Sequence, residues 1–407
     1  MERKNAWEKY PVGEKRDAVM AFAEGYRKFI SECKTERECV TATIAKAEAA
    51  GFVNLDEVIA CGTTLKAGDK VYANNMGKGL ALFVMGKKSL EEGMSILGAH
   101  IDSPRLDLKQ DPLFENTDFA MLDTHYYGGI KKYQWVTLPL ALHGVIVKKD
   151  GTVVNVNVGD KPGDPVFGIS DLLIHLSAEQ MDKKAAKVIE GENLDLLIGS
   201  IPVDDSDKED KDKAKEKVKA NIMNILTAEY GIEEEDFLSA EIEVVPAGDA
   251  RDYGFDRSMI MGYGHDDRVC AYPSYEAIAA VEDPEYTSVC LLVDKEEIGS
   301  VGASGMESRF FENTVAEVMT AAGEYSELKL RRALKNSKVL SSDVSAAFDP
   351  NFPLVMTKAN TAYFGKGLVF NKYTGSRGKG GSNDANAEYV GKLRDIMERN
   401  EVNFQTA

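Results

Sequence analysis

Hydrophobic and polar positions in the first part of the chain follow two different periods. Residues 14–50 place Phe22, Tyr26 and Phe29 at the three- and four-residue spacing typical of an amphipathic helix. Residues 70–86 read KVYANNMGKGLALFVMG, two β-rich segments on either side of a glycine-containing turn. This pattern predicts a hairpin. The chain therefore begins with helix and continues into strands.

The middle of the chain is predominantly β-type. Residues 110–200 contain several such runs, and a DG turn at Asp150–Gly151 joins two of them. Residues 203–219 form a mixed charge run, which predicts a solvated loop leading into a helix that ends near Tyr230. Strand character resumes at residue 241. The pattern favours a β-rich region between a first part that begins with a helix and a last part that contains both strands and helices.

After this region, predicted strands and helices alternate. The runs SMIMGYG, SVCLLVD and KVLSSD read as strands, and RVCAYPSYEAIAAVE and FFENTVAEVMTAAG as helices. Such alternation indicates an α/β fold with a largely parallel sheet and crossover helices. The glycine-rich stretch 375–383 lacks the GK[ST] ending of a phosphate-binding loop and predicts a mobile loop.

Two adjacent carboxylates, Glu296 and Glu297, follow the apolar run 289–293. Past the end of a strand both side chains can reach one site, where they would repel each other without a nearby cation. A metal ion answers this need: one carboxylate binds it, and the other takes a proton from the water that it activates. The alternative is a solvated acidic turn.

Other predicted strands end in residues of the same chemistry. They deliver His100 with Asp102, His265 with Asp266 and Asp267, and Asp343. In open α/β sheets, ligands gather outside the carboxyl ends of the strands. One histidine with several carboxylates is a ligand set for zinc or manganese. A structural histidine and aspartates that cap helices are the competing interpretations. Together these positions predict a metal hydrolase.

Composition limits the partners and the location. With 407 residues the chain is long enough for two domains. A net charge of −18 and a pI of about 4.9 argue against nucleic acid and anionic membranes as partners. No apolar run has the roughly 18–20 residues of a membrane span. Five cysteines without a CxxC pair, and a polar N-terminus without a signal peptide, lead us to expect a cytoplasmic protein.

The motifs at these positions resemble those of a known family. GAHIDSPRLDLK, YYGG (126–129), LLIHL (172–176), GHDDR, DKEEIGS and SSD occur in order along the chain. They resemble the motifs of the aspartyl aminopeptidase and vacuolar aminopeptidase I family of di-zinc metallopeptidases. The resemblance implies a zinc-peptidase (phosphorylase/hydrolase-like) α/β/α catalytic domain at 1–109 and 247–407. It also implies an inserted β-rich dimerisation domain at 110–246, with dimers that assemble into a tetrahedral dodecamer.

The resemblance also implies a role for each site residue. Two zinc ions are expected, with manganese or cobalt as substitutes, and the substrates are peptides that lose their N-terminal residue. The implied zinc ligands are His100 and Asp343 for one ion, Glu297 for the other, and Asp266 as the bridge. The implied catalytic residues are Glu296 as general base, Asp102 as the residue that orients His100, and His175, which reaches a neighbouring subunit's active site.

Two departures from the family pattern change these expectations. Ala346 stands where family members usually carry a histidine, which weakens the expectation of a preference for acidic N-terminal residues. The family pattern also ends in a histidine that binds the second zinc, and no histidine follows His265 in these 407 residues. Weak second-zinc occupancy and impaired activity are therefore expected. A non-catalytic assembly or binding homologue and a di-metal N-deacylase are the alternative functions.

Overall fold

The computed structural model describes residues 3–204, 214–376 and 379–407. The chain forms a larger unit, Arg27–Ser342, and a smaller unit of Met1–Tyr26 with Asp343–Ala407. The helices of the described residues are α1 (Glu14–Glu32), α2 (Glu36–Ala49), α3 (Leu55–Cys61), α4 (Ala178–Met181), α5 (Lys217–Tyr230), α6 (His265–Ala279), α7 (Phe310–Ala321), α8 (Glu327–Asn336) and α9 (Ala387–Arg399). Among these helices, none is both long and apolar enough to cross a membrane.

The strands of the same described ranges follow in chain order. They are β1 (Val53–Asn54), β2 (Lys70–Asn75), β3 (Gly79–Val84), β4 (Ser95–His100), β5 (Arg105–Asn116), β6 (Phe119–Tyr127), β7 (Leu140–Val147), β8 (Val153–Val158), β9 (Leu196–Gly199), β10 (Ala240–Pro246), β11 (Arg251–Tyr253), β12 (Met259–Met261), β13 (Ser288–Val293), β14 (Lys338–Ser341), β15 (Leu368–Phe370), β16 (Tyr373–Ser376), β17 (Lys379–Asp384) and β18 (Phe404–Thr406).

The first sheet of the larger unit has the strand order β1-β2-β3-β13-β4-β14. Strand β4 lies between β13 and β14 and is parallel to both. The β2–β3 hairpin adds antiparallel strands on one side, and its register runs from Lys70 opposite Val84 to Asn75 opposite Gly79. The predicted hairpin is therefore confirmed. Because β13, β4 and β14 are parallel neighbours, their carboxyl ends share one edge of the sheet.

Helices cover both faces of this sheet. Val289 and Leu291 of β13 pack in one buried cluster with residues of α3, α7 and α8. Cys290 and Leu292 are also buried but lie outside that cluster, as the two-residue period of a strand requires. Helices α2 and α6 contact the sheet as well. A strand buried on both faces reads as a continuous apolar run, which is why SVCLLV contains no polar alternation beyond its first residue.

The second sheet of the larger unit has the order β8-β7-β10-β5-β6-β9. All of its pairings are antiparallel, and β10 returns beside β5 with Val244 opposite Leu106. Leu106, Leu140 and Val244 belong to a separate buried cluster, against which α5 packs. This sheet therefore has its own core.

The smaller unit contains α9 and two pairs of strands. Strands β15 and β18 are parallel, and β16 pairs with β17 in the antiparallel sense. The rings of Phe370 and Phe404 meet at 5.9 Å between centroids. The side-chain amide of Gln405 accepts from the N–H of Tyr363 at 2.9 Å and donates to its carbonyl at 2.9 Å. These contacts tie β15 and β18 to the preceding loop.

Several predictions of local structure are confirmed, with one interruption in the first helical segment. Residues 14–50 form α1 and α2, which are separated at Thr35 because that residue makes a capping box with Glu38 at the start of α2. The DG turn is also confirmed: Gly151 has φ +87°, and the N–H of Lys148 donates to the Thr152 carbonyl at 2.8 Å. The predicted helix ending at Tyr230 is α5.

Two predictions differ from the structure, and one of these and a third prediction fall partly outside the described residues. SMIMGYG was expected to be a strand of the main sheet, but β12 pairs with β11 in a two-stranded ribbon. The described residues of the glycine-rich stretch 375–383 belong to paired strands instead of a loop, while 377–378 lie outside the described residues. Residues 205–213 of the predicted solvated loop also lie outside them.

Candidate metal centre

His100 is the last residue of β4, and its side chain is only 2% exposed. Its Nδ1 lies 2.9 Å from the backbone carbonyl of Asp102 and 3.4 Å from the Asp102 Oδ1. An Nδ1–H that donates to this carbonyl turns Nε2 toward the open side of the site. The H-x-D spacing thus orients the imidazole through a residue two positions away.

Asp266 reaches His100 from the start of α6. Its Oδ1 lies 3.1 Å from the His100 Nε2, and the Ser103 hydroxyl donates to the Asp266 carbonyl at 2.7 Å. Asp266 and Asp267 have non-helical backbone angles, and the peptide bond between them is cis. Because β12 lies outside the main sheet, the start of α6 and not a strand end brings Asp266 to this place.

Glu296 and Glu297 lie on a single turn after β13. Lys295 has a φ of +68°, which reverses the chain directly after the strand. The N–H groups of Glu296 and Glu297 donate to Oδ1 and Oδ2 of Asp102, both at 3.2 Å. Ligand atoms of His100, Glu296 and Glu297 all lie within 4.8 Å of one another. The structure therefore brings the adjacent carboxylates Glu296 and Glu297 to His100.

The charges of the site are strongly coupled. Burial opposes protonation of His100, but Asp102 and Asp266 outweigh it and raise the pKa of the imidazole to about 11. Burial, with the neighbouring Asp266, raises the pKa of Glu297 to about 7. Burial acts to raise the pKa of Asp102, yet its hydrogen bonds with His100 and Tyr127 lower it. Carboxylates crowded in this way are stabilised by a cation.

The donor set fits zinc. One imidazole and several carboxylates around an open position are the ligands of catalytic zinc sites. The side chains of Asp266 and Glu296 are 47% and 46% exposed, whereas His100 is buried. A cavity of about 420 Å³ adjoins Asp266 and is lined by Pro104, Ile130 and Trp135, among others. Water and a small organic ligand can therefore approach the carboxylates.

Asp343 and His175 are the two remaining predicted residues. The N–H of Ser342 donates to the Gly98 carbonyl at 2.7 Å, so Asp343 directly follows the carboxyl end of β14. Asp343 is exposed, and its Oδ1 accepts from the N–H of Val344 at 2.6 Å. His175 is exposed and lines a different cavity, of about 780 Å³, beside Leu172. Among the described residues, no contact joins His175 to His100.

Sequence reasoning missed three residues that support this centre. Tyr127 donates its hydroxyl hydrogen to the Asp102 Oδ2 at 2.8 Å. The Arg268 guanidinium donates to the carbonyls of Ile101 and Lys34 at 3.1 and 2.9 Å. Ser103 binds the backbone of Asp266, as described above. Tyr127 and Arg268 are part of the YYGG and GHDDR motifs, but the sequence alone gives neither a role.

The aminopeptidase I zinc metalloprotease (M18) family model matches residues 29–407 of the chain. The chain belongs to the M18 family. It is 64% identical over 406 residues to a probable M18 family aminopeptidase 1 from Clostridium acetobutylicum, covering 100% of this chain and 86% of that relative. The predicted metalloaminopeptidase is therefore confirmed at the level of the family.

Solved structures of similar proteins share the fold. Aminopeptidase I from Clostridium acetobutylicum superposes with a TM-score of 0.91 at 63% identity, covering 100% of this chain and 87% of that one. An M18 aminopeptidase from Thermotoga maritima gives 0.92 at 42% identity, covering 100% and 86%. The S. cerevisiae mApe1 dodecamer gives 0.72 at 20% identity, covering 96% and 85%. The predicted zinc-peptidase α/β fold is confirmed.

Proposed function

We propose that this M18 chain removes N-terminal residues from peptides at the centre formed by His100, Asp266, Glu296 and Glu297. The observation that carries the proposal is their convergence. The ligand atoms of His100, Glu296 and Glu297 lie within 4.8 Å of one another, and Asp266 Oδ1 lies 3.1 Å from the imidazole. Two sheet strands and one helix start, far apart in sequence, supply these side chains to one edge.

His100 and Asp343 would hold one zinc ion, Glu297 a second, and Asp266 both. Manganese or cobalt would substitute. Zinc, when bound, lowers the pKa of a water molecule and polarises a peptide carbonyl. Asp102 orients His100 for this purpose, since its carbonyl fixes Nδ1 and leaves Nε2 as the ligand atom.

Glu296 is the general base in this proposal. Its carboxylate is about half exposed, and its Oε2 lies 3.8 Å from the His100 Nε2, so it borders the place where the attacking water would stand. It accepts a proton from that water and returns a proton to the leaving amine. The surrounding carboxylates would bind the free α-ammonium of the substrate, which selects the N-terminal residue of a peptide.

We also propose that residues 110–246 form an inserted domain through which a second copy docks. The second sheet and its separate core support this proposal. So does a surface segment of adjacent apolar side chains, Leu172, Leu173, Ile174 and Leu176, which are 52–70% exposed. His175 lies among them and would reach the partner's centre. The dodecameric mApe1 supports assembly of such dimers into a tetrahedral dodecamer, and the buried free thiols of Cys33, Cys39 and Cys290 support a reducing cytoplasm.

Glu296→Gln tests the catalytic assignment. The amide cannot accept the proton, so kcat for aminoacyl-p-nitroanilide hydrolysis should fall roughly 10²–10⁴-fold, the usual contribution of a general base. Zinc content, measured by mass spectrometry, should stay unchanged, because Glu296 is not assigned as a ligand. An unchanged kcat would refute the mechanism.

Glu307→Gln is the matched control. Glu307 is an exposed carboxylate of the loop that follows β13, the strand that precedes Glu296. Among the described residues, only its backbone is bonded to the Glu296–Glu297 turn, through the Ser300 carbonyl. The same loss of charge should leave both kcat and zinc content at the wild-type level. A comparable fall in kcat would show that net charge of the loop, and not proton transfer, limits the reaction.

A further inference from the structure

Asp102 contacts His100 and the Glu296–Glu297 turn of the candidate centre, and one of its hydrogen-bond partners comes from the second sheet. Asp102 is fully buried, and its oxygens accept from the N–H groups of Glu296 and Glu297 while Oδ1 faces His100. Its Oδ2 also accepts the hydroxyl hydrogen of Tyr127, the last residue of β6, at 2.8 Å. Both carboxylate oxygens are thus engaged.

Tyr127 is held firmly in its own sheet. It is 7% exposed, and the Arg105 guanidinium carbon lies 3.8 Å from the centre of its ring. The Arg105 Nε in turn lies 2.8 Å from Asp107 and 3.2 Å from Glu243, so the guanidinium is fixed on β5 and β10. A ring clamped by a cation in this way has little freedom to rotate its hydroxyl away from Asp102.

The chain after Tyr127 touches the acidic pair directly. Gly128 has φ +76°, and a Cβ there would lie 3.3 Å from the Cβ of Glu297. The backbone of this segment therefore forms one wall beside Glu297. Burial and the nearby Asp102 raise the pKa of the Tyr127 phenol, so it remains a protonated donor.

We propose that Tyr127 is a positioning residue of the metal centre, which fixes the Asp102 carboxylate and, through it, His100 and the Glu296–Glu297 turn. The inference rests on the proposed zinc ligands. A hydrogen bond to a charged carboxylate inside the protein is among the stronger ones. Groups that orient a metal ligand contribute about 10–100-fold to metal affinity, and Tyr127 fixes Asp102, the group that orients His100. The second sheet thus sets the geometry of a centre built on the first.

Tyr127→Phe, compared with Tyr72→Phe, tests this role. Tyr72 makes the same kind of bond, from its hydroxyl to Glu48 at 2.7 Å, and is 4% exposed, but it touches none of the candidate ligands. Zinc affinity is measured on metal-depleted protein by competition with a chelating dye, and kcat and KM are measured at saturating zinc. Tyr127→Phe should weaken zinc binding about 10–100-fold and lower kcat with little change in KM. Tyr72→Phe should change none of these quantities.

A zinc affinity of Tyr127→Phe within twofold of wild type would overturn the inference, as would an equal loss in Tyr72→Phe, which would indicate general loosening. His100→Ala separates this result from a failure of the proposed centre. If His100→Ala weakens zinc binding and Tyr127→Phe does not, only the role of Tyr127 is wrong. If His100→Ala also leaves zinc binding unchanged, the proposed centre itself is wrong and the inference with it.

Discussion

At the scale of single residues, Gly264 illustrates how closely the backbone around the centre is packed. It precedes α6 with φ +85°, and a Cβ there would lie 2.1 Å from the Arg268 Nη1. Arg268 is buried and donates to the carbonyl of Ile101, the residue after His100. The glycine therefore leaves room for the side chain that ties the start of α6 to the end of β4.

Gly264→Ala should lower the free energy of unfolding by about 3 kcal/mol, since left-handed backbone strain adds to displacement of a buried, hydrogen-bonded arginine. Gly231→Ala is the control: Gly231 has φ +66° with nothing within 4 Å of a Cβ, so only strain of about 1–2 kcal/mol applies. Urea denaturation followed by circular dichroism measures both. Equal losses would mean that Arg268 does not constrain this position.

The sequence predicted the candidate ligand residues better than the residues that hold those ligands in position. His100, Glu296 and Glu297 could be found because buried strands leave an apolar run that stops at them, and parallel strands end at one edge. Tyr127 could not be found in this way, because it lies on an antiparallel strand of another sheet and its partner Asp102 is 25 residues distant. No periodic pattern records a contact between two sheets.

At the scale of elements, His143 joins β7 to α2 through a buried set of charges. Its Nδ1 lies 2.8 Å from Glu38 on α2, and its Nε2 lies 2.9 Å from Asp160, which also pairs with Lys34 at 2.6 Å. Burial works to lower the pKa of His143, but Asp160 and Glu38 outweigh it and raise the pKa. The imidazolium therefore stabilises the contact between helix and strand.

His143→Gln should destabilise the protein most at low pH. The charged form stabilises fully below the ordinary pKa of about 6.5, and this stabilisation is lost as the pH rises through the higher folded-state pKa. The cost should be about 3 kcal/mol at pH 6 and should shrink over the alkaline range, as the pH rises through the raised pKa. Thermal unfolding across this range, beside the exposed His125→Gln as control, measures it. A cost independent of pH would contradict the charged state.

Element types were largely predictable, and the exception has a physical cause. The run SMIMGYG is apolar enough for a buried strand, yet only Met259–Met261 are extended, and they pair with Arg251–Tyr253. Short apolar runs fit a ribbon and a buried strand equally well, because local pattern does not contain the partner. The acidic residues after it therefore reach the centre from a helix start.

At the scale of the whole molecule, the exposed apolar segment 172–176 belongs to the proposed contact between copies. Ile174→Asp places a charge among side chains that would be buried in a dimer, so assembly should fail. Leu238→Asp is the control, since Leu238 is similarly exposed, at 68% against 70%, on a different turn. Light scattering after size-exclusion chromatography should give a smaller mass for the first variant only. An unchanged mass would place the contact elsewhere.

The pairing of β5 with β10 has a consequence for how such a chain can be rearranged. Because Leu106 lies opposite Val244, the points where the chain enters and leaves the second sheet are hydrogen-bonded neighbours. A segment whose two ends are adjacent can be inserted into a domain or deleted from it with little distortion of the remaining fold, since a short turn connects the two cut ends. Excision of residues 110–246 would nevertheless remove Tyr127, so a minimal catalytic fragment would need a substitute hydroxyl donor for Asp102.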